Sequence, residues 1–203
     1  MSGTAVRGEA LPPLEESQLD DVMVPIADLN RIVDSTEMEV TSEIDTMSDH
    51  SGDVSDPECL GAVYGAEETV YQDSRWTAML DQIAREPTDD NDHWVEQTAV
   101  IYPSDADAHR FFEASKEAWG KCANYTVTIR GDDTDSQWDI DEVTTAGDMI
   151  TQTSIQQHVN GWGCQHALAV SANLTTEAWA CSYSPGDEAA QIAEEMMARA
   201  AER

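Results

Sequence analysis

The segment GCQHALAVSANLTTEAWACS, residues 163–182, predicts a β-hairpin that carries a cysteine near each end. Residues 164–171 and 174–182 are rich in small or alternating apolar side chains, which is typical of paired strands. Between them, Ala172 and Asn173 suit a two-residue turn because asparagine tolerates positive φ.

The register of this hairpin predicts a disulfide. Counting outward from Ser171 opposite Leu174, Cys164 comes to lie opposite Cys181. The pair falls at a non-hydrogen-bonded position, where antiparallel side chains approach most closely. That separation suits an S–S bond.

The sequence contains four cysteines, and the other two are Cys59 and Cys122. No C-x-x-C pair or closely spaced histidine accompanies them, which argues against structural zinc. Four buried free thiols in a cytosolic protein are the alternative. An even number with a hairpin pair favours two bridges and an oxidising compartment, and Cys59 then pairs with Cys122 by elimination.

Two amphipathic helices are predicted. Ser104 is a strong N-cap, and small or apolar residues follow it at three- and four-residue steps. They are Ala108, Phe111, Phe112, Ser115, Trp119 and Cys122. A second helix is predicted from Ser184-Pro185, with Ala189, Ile192, Ala193, Met196 and Ala200 along one face.

The rest of the chain reads mainly as strands and turns. We predict a short helix at 25–34, a helical turn at 59–68, and strands at 37–44, 94–102, 125–130, 137–143 and 149–157. Residues 76–86 fit either helix or strand, and we favour strand. The sum is an α+β domain in which an antiparallel sheet is packed by a long central helix and a C-terminal helix.

Residues 1–24 are polar, contain Pro12 and Pro13 and have few apolar anchors. This composition predicts a disordered linker. The folded domain is therefore expected to span residues 25–203.

Composition excludes some partners. Forty-one acidic against ten basic residues give a formal net charge of −31, which repels nucleic acid and anionic lipid. No segment approaches the length of a membrane span. If the domain works outside the membrane, its signal or anchor is expected to lie beyond this sequence.

Catalytic and metal motifs are absent from the sequence. There is no G-x-S-x-G elbow, kinase loop, P-loop or H-E-x-x-H pair, and the five histidines are scattered. The acidic stretch 132–142 lacks the spacing of an EF-hand, which favours a solvated turn over a calcium site. We therefore expect no cofactor, no metal and no enzymatic activity.

A ligand cleft is predicted near the hairpin. Trp162 lies between Gly161 and Gly163, where a bulge can aim its ring outward, and His166 faces Trp179 in the derived register. The candidate lining is Tyr64, Gln97, Tyr102, Trp162, Gln165, His166 and Trp179. The alternatives are a core position for Trp179 and solvated strand positions for Gln97, Gln165 and His166.

Several segments together resemble the PknH-like extracellular sensor domains. They are 163–170 with Asn173 and Cys181 before a terminal helix, Cys59 to Ala62 with Tyr71, Val95 to Pro103 leading into Ala108 and Phe111, and Trp119 with Cys122. The resemblance covers roughly residues 25–203. It implies two intramolecular disulfides and a large cleft lined by hydrophobic and polar groups.

The resemblance also implies a parent chain with a cytoplasmic serine/threonine kinase domain, one transmembrane helix and this domain outside. A small-molecule or envelope-derived ligand would then change the orientation or dimerisation of the domain and regulate the kinase. Related domains occur in envelope lipoproteins, so the alternative is a stand-alone domain that binds or processes a glycolipid or cell-wall fragment.

Overall fold

The computed structural model describes residues 12–87, 91–131 and 134–203. Within them, nine strands form one antiparallel sheet, as the sequence predicts. The strands are β1 (Glu39–Ile44), β2 (Ala78–Arg85), β3 (His93–Ile101), β4 (Thr126–Ile129), β5 (Ser136–Ile140), β6 (Thr144–Ala146), β7 (Met149–Gln156), β8 (Gly163–Ser171) and β9 (Leu174–Ser182). Their order is β1-β2-β3-β9-β8-β7-β5-β4, with β6 paired to β7.

The predicted hairpin is the centre of the sheet. Ser171 pairs with Leu174, and Cys164 pairs with Cys181, which confirms the register. The positive φ of the turn, 49°, falls on Ala172. The side chain of Asn173 is turned inward, where its amide donates hydrogen bonds to the carbonyls of Leu14 and Tyr102.

The helices of the described residues are α1 (Leu19–Val22), α2 (Ile26–Ile32), α3 (Leu60–Val63), α4 (Glu68–Tyr71), α5 (Asp105–Cys122) and α6 (Glu188–Ala201). The long helix α5 begins after Ser104, whose hydroxyl accepts the Asp107 N–H, as predicted. No helix among the described residues is long and apolar enough to cross a membrane.

The prediction for the start of the last helix was wrong by a few residues. It begins after Asp187 rather than at Ser184-Pro185, and Asp187 makes no side-chain cap. Instead, Gln165 of β8 accepts a hydrogen bond from the Ala190 N–H in the first turn. The sheet thus supplies the cap, which local sequence does not reveal.

Helices cover both faces of the sheet. On one face, α1, α2 and α6 pack on β3, β8 and β9 around Val95, Ala167, Ala178, Ile192 and Met196. On the other face, α5 packs around Phe112, Trp119, Ile150 and Leu168. Because α5 covers only part of its face, the rest of that face stays open.

The predicted boundary at residue 25 was wrong for the residues that the structure describes. Leu14, Leu19, Val22, Met23 and Val24 are all buried in the core beneath α6. The prediction failed because these apolar residues are spread through a polar segment and pack against elements distant in the chain, among them α6, β2 and β3. Residues 1–11 lie outside the described part of the chain.

Two disulfides, Cys59–Cys122 and Cys164–Cys181, are present as predicted. The first joins the segment before α3 to the last residue of α5. The second crosses between β8 and β9, where the two Cα atoms are 3.9 Å apart.

Candidate ligand-binding cleft

The open part of the α5-bearing face forms a cleft with a volume of about 690 Å³. Its apolar lining is dominated by four tryptophans, Trp94, Trp138, Trp162 and Trp179. The Cys164–Cys181 bridge lies on the same floor and packs against these rings. Ligand sites in proteins have this size and combine apolar walls with a few placed polar groups.

Strand alternation explains how these residues come together. Antiparallel pairing sets Glu96 of β3 opposite Trp179 of β9, and Trp94 opposite Cys181. Residues two apart on a strand share a face, so Trp94 and Glu96 point into the cleft together. Their neighbours Val95 and Gln97 point to the opposite face.

Two carboxyl groups meet on the floor. Asp81 is buried and accepts a hydrogen bond of 2.5 Å from the Thr98 hydroxyl. Burial raises the pKa of Asp81 to about 6. Burial, with the nearby charges of Asp81 and Glu177, holds the pKa of Glu96 well above its usual range. The raised pKa values favour the protonated forms of both groups over those of exposed acids.

The indole N–H of Trp179 has no hydrogen-bond partner although the side chain is only 4% exposed. It faces the backbone of Gly65 in the overlying loop. A methyl group on Gly65 would lie 3.1 Å from Nε1 of Trp179 and 3.2 Å from Oε1 of Glu96. Gly65 thus packs closely over both groups, and a side chain at this position would crowd them.

Behind the floor lies a second polar cluster. The buried carboxylate of Glu177 accepts hydrogen bonds from the Tyr71 hydroxyl at 2.8 Å and from Nε2 of His166 at 2.6 Å. Burial lowers the pKa of His166, so the ring is neutral at neutral pH. The His166 ring lies between Trp179 and Trp119, with centroid distances of 3.8 and 3.9 Å.

One wall of the cleft comes from the loop between β1 and α4. Tyr64 stacks on His50 with ring centroids 4.5 Å apart. His50 in turn bonds to the buried carboxyl of Glu67. The Cys59–Cys122 bridge ties the segment that leads into this wall to α5, within the core beside the cleft.

Three of the predicted cleft residues, Tyr64, Trp162 and Trp179, line the cleft. Trp162 also contacts Tyr183 edge to face at 5.1 Å. Trp179 was considered either as a cleft residue or as a core residue. Its side chain is buried and also forms part of the cleft floor.

The other four predicted residues lie elsewhere, and all are buried rather than solvated. Gln97 is on the opposite face and exchanges two hydrogen bonds with the backbone of Val24. Tyr102 lies in the core beside α5, and its hydroxyl contacts that of Thr175.

Gln165 caps α6 through Ala190. His166 is beneath Trp179 rather than in the cleft. Gln165 and His166 were assigned as hairpin residues, and Gln97 and Tyr102 as residues of a neighbouring strand, before the elements that cover these positions were known.

The sequence interpretation missed Asp81 and Glu96. A usable signal was present, because the predicted strand 94–102 alternates, and Glu96 shares a face with Trp94 rather than with Gln97. The pairing partner of that strand, β9, could not be read from the sequence. Without it, Glu96 looked like an ordinary solvated strand residue.

The cleft lining contains no lysine or arginine among the described residues. In the same part of the chain, no group of three or more His, Cys, Asp or Glu side chains is arranged to hold a metal ion. Asp132 and Asp133 of the acidic stretch lie outside the described residues. The charged side chains of the described lining are therefore acidic, and the other polar groups are hydroxyls, amides, indoles and the imidazole of His50.

Two disulfides around a mixed α/β core define a domain built for an oxidising compartment outside the membrane. Comparison with known proteins makes this specific. The chain belongs to the PknH-like extracellular domain family, which it matches over residues 14–199.

The serine/threonine-protein kinases PknH of Mycobacterium bovis and Mycobacterium tuberculosis are each 32% identical over 181 residues, or 89% of this chain. The chain corresponds to only 30% and 29% of their lengths. The crystal structure of the extracellular domain of PknH from Mycobacterium tuberculosis superposes with a TM-score of 0.91 at 29% identity. It covers 96% of this chain and all of the other. The predicted fold and extracellular location are confirmed.

Proposed function

We propose that this domain is the ligand-sensing part of a single-pass transmembrane serine/threonine kinase. A small or envelope-derived molecule binds in the tryptophan cleft and changes the orientation or dimerisation of the domain. That change regulates trans-phosphorylation between kinase domains on the other side of the membrane.

The unpartnered indole N–H of Trp179 is the observation that carries this proposal. A buried donor without a partner costs about 1–3 kcal/mol. Trp179 lines the cleft, so a ligand that shifts the covering Gly65 loop and offers an acceptor to this N–H recovers that cost and stabilises the domain.

The surroundings of the cleft suit a sensor. The floor is fixed by Cys164–Cys181, and the wall that carries Tyr64 is fixed to α5 by Cys59–Cys122. The stack of Trp179, His166 and Trp119 runs from the floor to the same helix. A ligand that displaces Trp179 therefore pushes on groups that contact α5.

The carboxyl pair favours binding over hydrolysis. Glycosidases place their two carboxyl groups about 5 Å or more apart, on opposite sides of the bond they cleave. Asp81 and Glu96 instead lie side by side on the paired strands β2 and β3, close enough for the charge of Asp81 to raise the pKa of Glu96. The domain is accordingly assigned no catalytic step, and the PknH kinases among its relatives favour a kinase parent over a stand-alone envelope domain.

Thermal unfolding of the purified domain in fractions of a mycobacterial envelope extract tests the proposal. At least one fraction is expected to raise the melting temperature of the wild type, because ligand binds the native state only. Trp162→Ala should lose the shift, whereas Trp76→Ala, a half-buried tryptophan packed outside the cleft, should keep it. A shift retained in Trp162→Ala would place the binding site elsewhere.

A further inference from the structure

One end of the cleft is lined without charge. The acids and the imidazole of the described lining, Asp81, Glu96 and His50, come from β2, β3 and the loop after β1. The lining residues between positions 136 and 164, on β5, β7 and the start of β8, include no acidic or basic side chain in the part of this segment that the structure describes. This end of the cleft therefore suits a part of the ligand that carries no charge.

A row of three side chains crosses this end. Gln156 of β7 is paired with Trp138 of β5, and on its other side its backbone N–H donates to the Trp162 carbonyl at 2.9 Å. Residues opposite one another on antiparallel strands share a face of the sheet, and all three residues line the cleft. The amide is thus at the centre of the row with an indole on either side. Two inter-strand spacings separate the tryptophans, about 10 Å at the backbone.

Both indole rings are held by contacts that leave them partly exposed in the cleft. Nε1 of Trp138 donates a hydrogen bond to the Ser136 hydroxyl at 3.0 Å. Trp162 is packed edge to face on Tyr183 at 5.1 Å. Because these contacts orient the rings before a ligand arrives, little side-chain entropy is lost on binding.

The amide of Gln156 is available to a ligand. The neighbouring amides of Gln152 and Gln157 are hydrogen-bonded within the protein, whereas the partly exposed side chain of Gln156 has no such partner among the described residues. An amide both donates and accepts hydrogen bonds, as a hydroxyl does. An acyl chain over Gln156 would remove water from the amide without replacing its hydrogen bonds, which is unfavourable.

We propose that Trp138, Gln156 and Trp162 form a subsite for an uncharged pyranose with equatorial hydroxyls, one unit of a neutral glycan. Equatorial hydroxyls leave apolar C–H groups on both faces of the sugar ring, and the negative face of an indole attracts such groups. Adjacent hydroxyls exchange hydrogen bonds with the Gln156 amide. The cleft volume of about 690 Å³ leaves room for neighbouring units. This inference rests on the proposed function and names the chemical class of the ligand.

Saturation-transfer NMR on the purified domain with two matched probes tests the inference. Cellotriose is uncharged, and the trimer of β-1,4-linked glucuronic acid has the same skeleton with a carboxylate on each ring. Cellotriose is expected to receive saturation at its ring C–H protons. The acidic trimer should bind on the order of tenfold more weakly, because the protein carries a net charge of −31 and the described lining offers no lysine or arginine.

Three variants locate the sugar. Gln156→Met keeps the size of the side chain but loses its hydrogen bonds, and it should weaken cellotriose binding on the order of fivefold. Trp138→Ala should weaken it at least as much. Gln157→Ala removes the next amide of the chain, whose side chain bonds to Asp139 outside the cleft lining, and should bind cellotriose like the wild type. Melting temperatures show which variants are folded, and Gln156→Met decides the result if Trp138→Ala does not fold.

Absence of saturation transfer to cellotriose in the wild type would overturn the inference. So would binding that Gln156→Met leaves unchanged, or equal binding of the acidic trimer. If cellotriose failed while an envelope fraction stabilised the wild type but not Trp162→Ala, the ligand class would be wrong and the sensing function would stand. If cellotriose bound as expected but no envelope fraction stabilised the domain, the subsite would stand and the sensing function would not.

Discussion

At the scale of single residues, the cleft floor departs from the usual rule that buried polar groups are paired. Trp179 has a buried donor without an acceptor, and Asp81 and Glu96 are two neighbouring acids whose pKa values are both raised. Such departures cost stability and are concentrated at functional sites. Each one makes a prediction that does not require the ligand.

Glu96→Gln is expected to stabilise the domain above about pH 6. The native state retains protons that the unfolded chain releases above about pH 4. The stability contributed by the pair is therefore largest at low pH and falls as pH rises through about 6, the pKa of Asp81. Glutamine does not titrate and removes one negative charge beside Asp81, so it should gain about 1–3 kcal/mol in urea unfolding at pH 8 and little at about pH 4.

The matched control for this change is Glu194→Gln on the exposed side of α6. It should shift unfolding by less than about 0.5 kcal/mol at either pH. If Glu96→Gln destabilised the domain at pH 8, or shifted stability equally at all pH values, the raised pKa of Glu96 would be excluded.

Alanine substitutions at Trp162 and His166 should behave differently. Trp162 is partly exposed in the cleft, so its removal should cost about 1–2 kcal/mol. His166 is 1% exposed and packed between two tryptophan rings, so its removal should cost about 3 kcal/mol or more and leave Glu177 without one partner. Chemical denaturation measures both, and a larger loss for Trp162→Ala would reverse the assignment of cleft and core.

At the scale of secondary-structure elements, locally determined features could be predicted from sequence. The hairpin register depends on a two-residue turn and fixes Cys164 opposite Cys181. The helix that ends at Cys122 shows its apolar face through three- and four-residue spacing. Both signals come from residues close together in the chain.

Features that depend on distant pairing could not be predicted. Gln165 looks like a strand surface residue until α6 is placed over it. Leu14 looks like part of a linker until its N–H is seen to bond to Asn173, 159 positions away. The cleft floor belongs to this group, because β3 meets β9 only in the folded sheet.

The N-terminal segment gives a prediction at this scale. Deleting residues 1–24 removes five buried apolar side chains, each contributing about 1.5–3 kcal/mol. The sum is comparable with the whole stability of a typical domain, so this deletion should abolish cooperative unfolding. Deleting residues 1–11 keeps every contact described above and should change the melting temperature little. If the domain tolerated both deletions equally, residues 14–24 would not be docked on the core.

At the scale of the whole molecule, two disulfides, a nine-stranded sheet and two helical layers hold one open cleft. The net charge of −31 surrounds a site that itself lacks lysine and arginine in its described lining. This field attracts cations to the domain and repels anions. The charge of the molecule and the lining of the cleft therefore both disfavour an anionic ligand.

The most direct test of the sensing claim is autophosphorylation of the full-length parent kinase in sealed vesicles, with the domain facing the medium. An envelope fraction that stabilises the isolated domain should change the initial rate several-fold. The same fraction should have no effect on a parent that carries Trp162→Ala. If the fraction binds the domain but leaves the rate unchanged, or if the Trp162→Ala parent responds like the wild type, the cleft is not the sensor.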